Sequence, residues 1–257
     1  MFCAPSHKVD SYTLSLWIVA SILVYVLASL VAWYFRQARP GRLGRAVAAL
    51  QAWRWRGWPR EVLRFGYYIG PPYAALLLGV ASPRLLGLSG LDWAQSSGLG
   101  TVLGMGACLL LLLGWWQYAR ATRILAQPGE GPLAAEVAAL ARPWGVGALL
   151  LEVAYLEAHW AFYRAGAILL WGDYAGVFLG CAVAILEMLA RRQLWSRLRQ
   201  PGQADGFLLT ISLALVVTIL FLFTHNLWVC AVVHGVLALG LLSLLRRWSQ
   251  QPALTSG

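Results

Sequence analysis

Charge is what this sequence has least of. Only 12% of its 257 residues are charged, against about 25% in an ordinary soluble domain. Carboxylates are the scarcest, 10 Asp+Glu against 20 Lys+Arg, for a net charge of +10. With 60% hydrophobic residues and a mean hydropathy of +0.66, that shortage excludes both a soluble enzyme and a disordered chain. No Cys-x-x-Cys pair exists. Cys3, Cys108, Cys181 and Cys230 are widely spaced and mostly lie inside apolar runs, so they read as small buried hydrophobes rather than a zinc ribbon or redox motif. The N-terminal MFCAPSHKVDSYT lacks the basic region that leads a signal peptide, and the apolar stretch after it is long enough to remain as a span. Internal repeats, heptads and low-complexity tracts are missing too.

What is present is a series of apolar segments. A membrane-crossing helix needs about 20 mostly apolar residues. Leu14–Phe35, Gly100–Tyr118, Trp144–Leu170, Tyr174–Ala190, Phe207–Phe223 and Leu227–Leu245 meet or approach that length. Phe65–Ala81 is shorter and carries Pro71–Pro72, which predicts a kinked or tilted span. The expected fold is therefore all-α, a polytopic bundle of about seven transmembrane helices.

The arginines test this division. Of the 20 basic residues, 17 fall in alternate loops and the tail: eight in Arg36–Arg64, then Arg120, Arg123 and Arg142, then Arg191, Arg192, Arg197 and Arg199, then Arg246 and Arg247. The opposite loops hold only Lys8 and Arg84, and Arg164 lies inside a span. The positive-inside rule then places the N-terminus outside and the C-terminus inside. The basic charge is a topology signal lying against anionic headgroups, and nucleic acid is not an expected partner. The first basic loop suits a short interfacial helix over Gly44–Trp55, with tryptophan at headgroup depth. The expected organisation is 1–143, three spans with that basic loop; 144–248, four spans; and 249–257, a flexible tail that frays.

Ionisable groups inside spans are costly, so they are functional candidates by default. The fourth span carries Glu152, Glu157, His159 and Arg164. At about 100° per residue, Glu152, His159 and Tyr163 share one face, and Glu157 and Arg164 another. The fifth carries Glu187 and the seventh His234. Reckoned from the span ends at 1.5 Å per residue, His234 sits about 10 Å from the outer boundary and His159 about 22 Å from the inner one. They can thus reach similar depth. Glu187, about 5 Å deep, falls too low to join them. Two histidines and a carboxylate suit a divalent metal such as zinc, with His159 and His234 as ligands, or a base with its orienting partner for hydrolysis. A satisfied structural role for each is the plainer alternative.

The run His159-Trp160-Ala161-Phe162-Tyr163-Arg164-Ala165-Gly166, and Asn226-Leu227-Trp228 leading to His234, resemble two motifs of the CAAX-protease and bacteriocin-processing (CPBP, or Abi) intramembrane endopeptidases. The resemblance covers Glu152 to Leu245 and makes 144–248 a CPBP-like core. In that family a Glu-Glu pair precedes the arginine, a Phe-x-x-x-His follows, and a His-x-x-x-Asn closes the pattern. Here His159 and Trp160 stand for the paired glutamates, Val183 and Glu187 for Phe and His, and Ala238 for Asn. Arg164 and His234 match in kind. Exchange of Glu and His between the first two motifs preserves the composition of the site, and Glu157 is a second candidate for the carboxylate.

The resemblance implies an intramembrane peptidase acting on a peptide or prenylated-peptide segment in a bacterial plasma membrane. Glu157, His159, Glu187 and His234 would activate water, and Arg164 would hold a carboxylate or a substrate carbonyl. The lost Glu-Glu pair and the 14 tryptophans support a different role on the same fold: an inactive accessory or scaffold subunit of a membrane complex, or a protein binding lipid or pigment through His159 or His234. A small transporter is a third class. The absence of inverted repeats and paired broken helices counts against it.

Overall fold

The computed structural model describes residues 11–36, 57–125, 133–191, 194–195, 198–199 and 204–250. Every element among them is a helix: α1 Ser11–Arg36, α2 Gly57–Tyr68, α3 Gly70–Leu77, α4 Trp93–Leu125, α5 Ala134–Leu140, α6 Gly145–Leu189, α7 Asp205–Thr224 and α8 Leu227–Gln250. Five of them, α1, α4, α6, α7 and α8, are long and apolar enough to cross a membrane, which makes this an integral membrane protein by length and composition. Their outward faces fit that setting. The exposed side of α1 carries Leu16, Val19, Leu23 and Leu27, and that of α4 carries Val102, Met105, Leu109 and Leu113, surface that lipid rather than water satisfies. The interfacial helix expected over Gly44–Trp55 lies outside the described residues, as does 251–257 of the expected tail.

The segment expected to kink at Pro71–Pro72 does break, just before them. α2 ends at Tyr68, Ile69 caps α3, and the prolines take its first positions, where a missing N–H costs nothing. The fourth and fifth expected spans form one 45-residue element, α6, with a single non-helical residue, Gly172, at φ 77 and ψ 174. That conformation is open in practice only to glycine. Around it the helix folds back on itself. A Cβ on Gly176 would strike the backbone of Ile168, and one on Gly180 would lie 2.6 Å from the Arg164 Cα. Residues 168 and 176, and 164 and 180, are symmetric about position 172, so the two arms run antiparallel with their backbones in contact. The small-residue spacing Gly176-x-x-x-Gly180-x-x-x-Ala184 permits this approach, as it does between membrane helices generally.

The chain divides into two compact units, 1–89 with 158–196, and 90–157 with 197–257. In the first unit α1 packs on α3, and its Ile18 covers the side-chain-free surface of Gly166 on α6. In the second, α4, α7 and α8 pack on one another. Gly100 and Gly104 of α4 accept Val229 and Val233 of α8, again small residues spaced by four admitting a neighbour. Trp115, Leu209, Leu213, Leu237, Leu241 and Leu245 form its core. Buried Asp205 opens α7, receiving the Tyr118 hydroxyl at 2.6 Å and the Leu133 amide at 3.0 Å.

Candidate functional site

All five candidate residues are buried: Arg164 is 1% exposed, Glu157 and His159 2%, His234 3% and Glu187 4%. Burying a charge or imidazole in an apolar interior is costly unless it finds a partner, and the sequence supplies two histidine–carboxylate pairs to meet that demand.

The first pair lies in the first unit, between the arms of α6. His159 Nε2 and Glu187 Oε2 are 2.9 Å apart. The depth reckoning that set Glu187 apart from His159 is corrected by the turn at Gly172. The level of each residue is counted from that turn, and His159 and Glu187 stand 13 and 15 residues from it, about 20 and 22 Å along their arms. The sequence reckoning measured His159 from the far end of a span that is longer than a membrane is thick.

Tyr67 of α2 completes this site and was not singled out from sequence. Its hydroxyl donates to Glu187 Oε1 at 2.7 Å. It also lies 3.4 Å from His159 Nε2 and 3.5 Å from the Tyr163 hydroxyl. One proton serves one strong bond, and the short contact to the carboxylate is that bond. Rings enclose the imidazole, with centroids at 4.5 Å for Tyr163, 5.0 Å for Tyr67 and 5.1 Å for Tyr68. Tyr25 of α1 stacks on Tyr67 at 5.3 Å and accepts the Arg191 Nε–H at 2.7 Å. Glu187 is thus held from both oxygens, and its partner His159 is walled by aromatic rings.

The second pair lies in the second unit. His234 Nδ1 of α8 and Glu157 Oε1 of α6 are 2.8 Å apart. A carboxylate on Nδ1–H fixes the tautomer whose lone pair is on Nε2. Asn226, at the entrance to α8, accepts the backbone amides of Trp228 and Val229 through Oδ1 at 3.0 and 3.2 Å, which sets the first turn of the helix that carries His234. His234 forms part of the wall of a cavity of about 400 Å³ whose lining is mainly apolar, a size typical of small-molecule sites. Its apolar lining includes Leu149, Val153 and Leu156 of α6, Leu209 and Leu213 of α7, and Leu242 of α8.

His159 and His234 belong to different units, and each is matched to a carboxylate of its own. Among the described residues no group of three or more His, Cys, Asp or Glu is placed to hold a metal ion. Each pair offers one imidazole and one carboxylate, short of the three protein ligands of a catalytic zinc, so no chemistry is routed through a metal here. Comparison with family models, with curated proteins and with solved structures finds no match to this chain.

The arrangement of the second pair can do acid–base chemistry. An imidazole oriented by a carboxylate and bordering a space for a ligand has the elements of a general base. The first pair, bonded to Tyr67 and flanked by the rings of Tyr67, Tyr68 and Tyr163, has the elements of a rigid polar core.

Proposed function

We propose that this chain is an intramembrane hydrolase, similar in plan to the CPBP endopeptidases, in which His234 oriented by Glu157 activates water at the wall of the apolar cavity. The observation that carries the reading is the His234 Nδ1–Glu157 Oε1 contact of 2.8 Å in a residue that also lines that cavity. His234 Nε2 takes a proton from water as the oxygen attacks a peptide carbonyl carbon. The C–N bond breaks, and the imidazolium returns its proton to the leaving amine. One water is consumed, and a carboxylic acid and an amine are released. The substrate is an apolar peptide or prenylated-peptide segment presented within a bacterial plasma membrane. Seven crossings accommodate the chain: α1, the α2–α3 pair, α4, each arm of α6, α7 and α8. The arginine-rich loops then face inward, with the N-terminus out.

Quantitative mapping of new peptide termini in membranes carrying the wild-type chain, His234→Ala or Glu157→Gln tests this. A set of termini present with wild type is expected to fall by about 100-fold or more in both variants, the scale of losing a general base. Identical termini in all three, at equal expression, refute it.

A second reading, an inactive accessory subunit of a membrane complex, is favoured by the closed His159–Glu187–Tyr67 network. That network gives stability to a scaffold. A stoichiometric protein, lipid or pigment co-purifying with the chain, together with unchanged termini, selects this reading over the first.

A further inference from the structure

The cavity of the second unit has a charge pattern at odds with the rest of the molecule. The chain carries a net charge of +10 and only 10 carboxylates. Three of these gather at one place: Glu136 and Glu152 line the cavity, and Glu157 holds the His234 that lines it. Among the described residues the one cationic side chain in the lining, Arg142, is solvent-exposed, whereas Glu136 and Glu152 are half-buried. Gly206, at the start of α7, has no side chain, and the Glu136 carboxylate occupies the space a Cβ would take there. Along α6 the lining runs from Gly145 to Leu156, about 16 Å at the helical rise.

Apolar walls alone do not favour a ligand over the surrounding bilayer, because lipid tails are as apolar as leucine. Selection in this setting comes from the few polar groups that converge on the space. Here the charged ones are Glu136, Glu152 and the exposed Arg142, so two of the three are acidic, beside the neutral polar groups of Trp144, Thr210 and His234. We infer that the cavity binds an amphiphile with a single apolar chain and a cationic, ammonium-type head, the chain lying along Leu149, Val153, Leu209 and Leu213 and the head meeting Glu136 and Glu152. For the hydrolase reading, on which this assignment of a substrate class rests, the corresponding substrate is an apolar segment bearing an amine or a basic residue near its end. Binding itself requires no hydrolysis and is measured separately.

The experiment is saturation binding of radiolabelled dodecylammonium, dodecanol and dodecanoate to the full chain in nanodiscs of neutral phosphatidylcholine. One site per chain is expected, at least tenfold tighter for dodecylammonium than for dodecanol, with dodecanoate weakest. The Glu136→Gln/Glu152→Gln double variant brings dodecylammonium to the level of dodecanol. Ala148→Trp, an exposed position in the lining, obstructs the cavity and lowers binding of all three probes. Equal binding of amine and alcohol, preference for the carboxylate, or indifference to Ala148→Trp overturns the inference. If binding fails while His234-dependent cleavage persists, this inference falls alone. If cleavage fails while the amine still binds, the hydrolase reading falls and the site stands.

Discussion

The fold-back of α6 at Gly172 can be tested by adding one carbon. An alanine at position 180 places its Cβ 2.6 Å from Arg164 Cα and 2.8 Å from Arg164 N. Both are backbone atoms, so no side-chain rotation relieves the clash, and the arms must separate by about 0.8 Å to reach ordinary contact. Overpacking of this kind costs about 1–3 kcal/mol, and the better helix propensity of alanine returns up to about 1 kcal/mol. The net expectation is a loss of about 1–2 kcal/mol, and Gly176→Ala has the same sign. Gly114→Ala is the matched control. Nothing lies within 4 Å of a Cβ there, so the propensity gain stands alone at roughly 0.5–1 kcal/mol. Chemical unfolding of the full chain in detergent micelles, followed by far-UV circular dichroism, should move the two midpoints in opposite directions. The site registers the same shift, since His159 and Glu187 sit on the two arms at 2.9 Å and have little room before the hydrogen bond is lost. If Gly180→Ala is as stable as Gly114→Ala, the arms do not touch and the hairpin is wrong.

Three further outcomes follow from the same packing. Glu187→Ala removes the acceptor of Tyr67 and His159 together and should cost about 3–5 kcal/mol, the scale of breaking a buried pair, with Glu187→Gln losing less because an acceptor oxygen remains. A thermal midpoint within error of wild type for the alanine variant would refute the network. Asp205→Ala leaves the Leu133 amide without its 3.0 Å acceptor and should cost about 2 kcal/mol, read as faster hydrogen exchange at that amide. Unchanged exchange speaks against the contact. His225 holds φ at 45, so His225→Gly should stabilise the α7–α8 junction by about 1 kcal/mol, and a lower unfolding midpoint would contradict this.

Much of the helix placement was legible because apolar length is a one-dimensional signal. α1, α7 and α8 begin and end within a few residues of the segments expected from composition alone. α4 begins seven residues early, at Trp93 rather than Gly100, because Ser96, Ser97 and Thr101 satisfy their hydroxyls on backbone carbonyls of the helix or its surroundings and so extend it past the purely apolar run. The pairing within the site was not legible by counting from span ends. The signal lay in Gly172, since residues symmetric about a tight turn in a helical hairpin face one another. Positions 159 and 187 are nearly symmetric about 172. Tyr67 gave no such signal, because it sits in a short helix interrupted before a proline pair, and which face it turns to α6 is decided by tertiary packing.

The two histidine–carboxylate pairs share a chemistry and differ in what surrounds them. In the first, the Glu187 oxygens are engaged by Tyr67 and His159, and the imidazole is enclosed by the rings of Tyr67, Tyr68 and Tyr163. Every one of those contacts strengthens a fixed arrangement. In the second, one carboxylate oxygen orients His234 from behind while the residue borders about 400 Å³ of mostly apolar space. Catalysis needs a group that changes its protonation state beside a bound reactant, and stability needs groups that do not change at all. Activity lost in His234→Ala at nearly wild-type stability, against stability lost first in Glu187→Ala, would separate the two roles. The opposite pattern would move the chemistry to the tyrosine-enclosed pair.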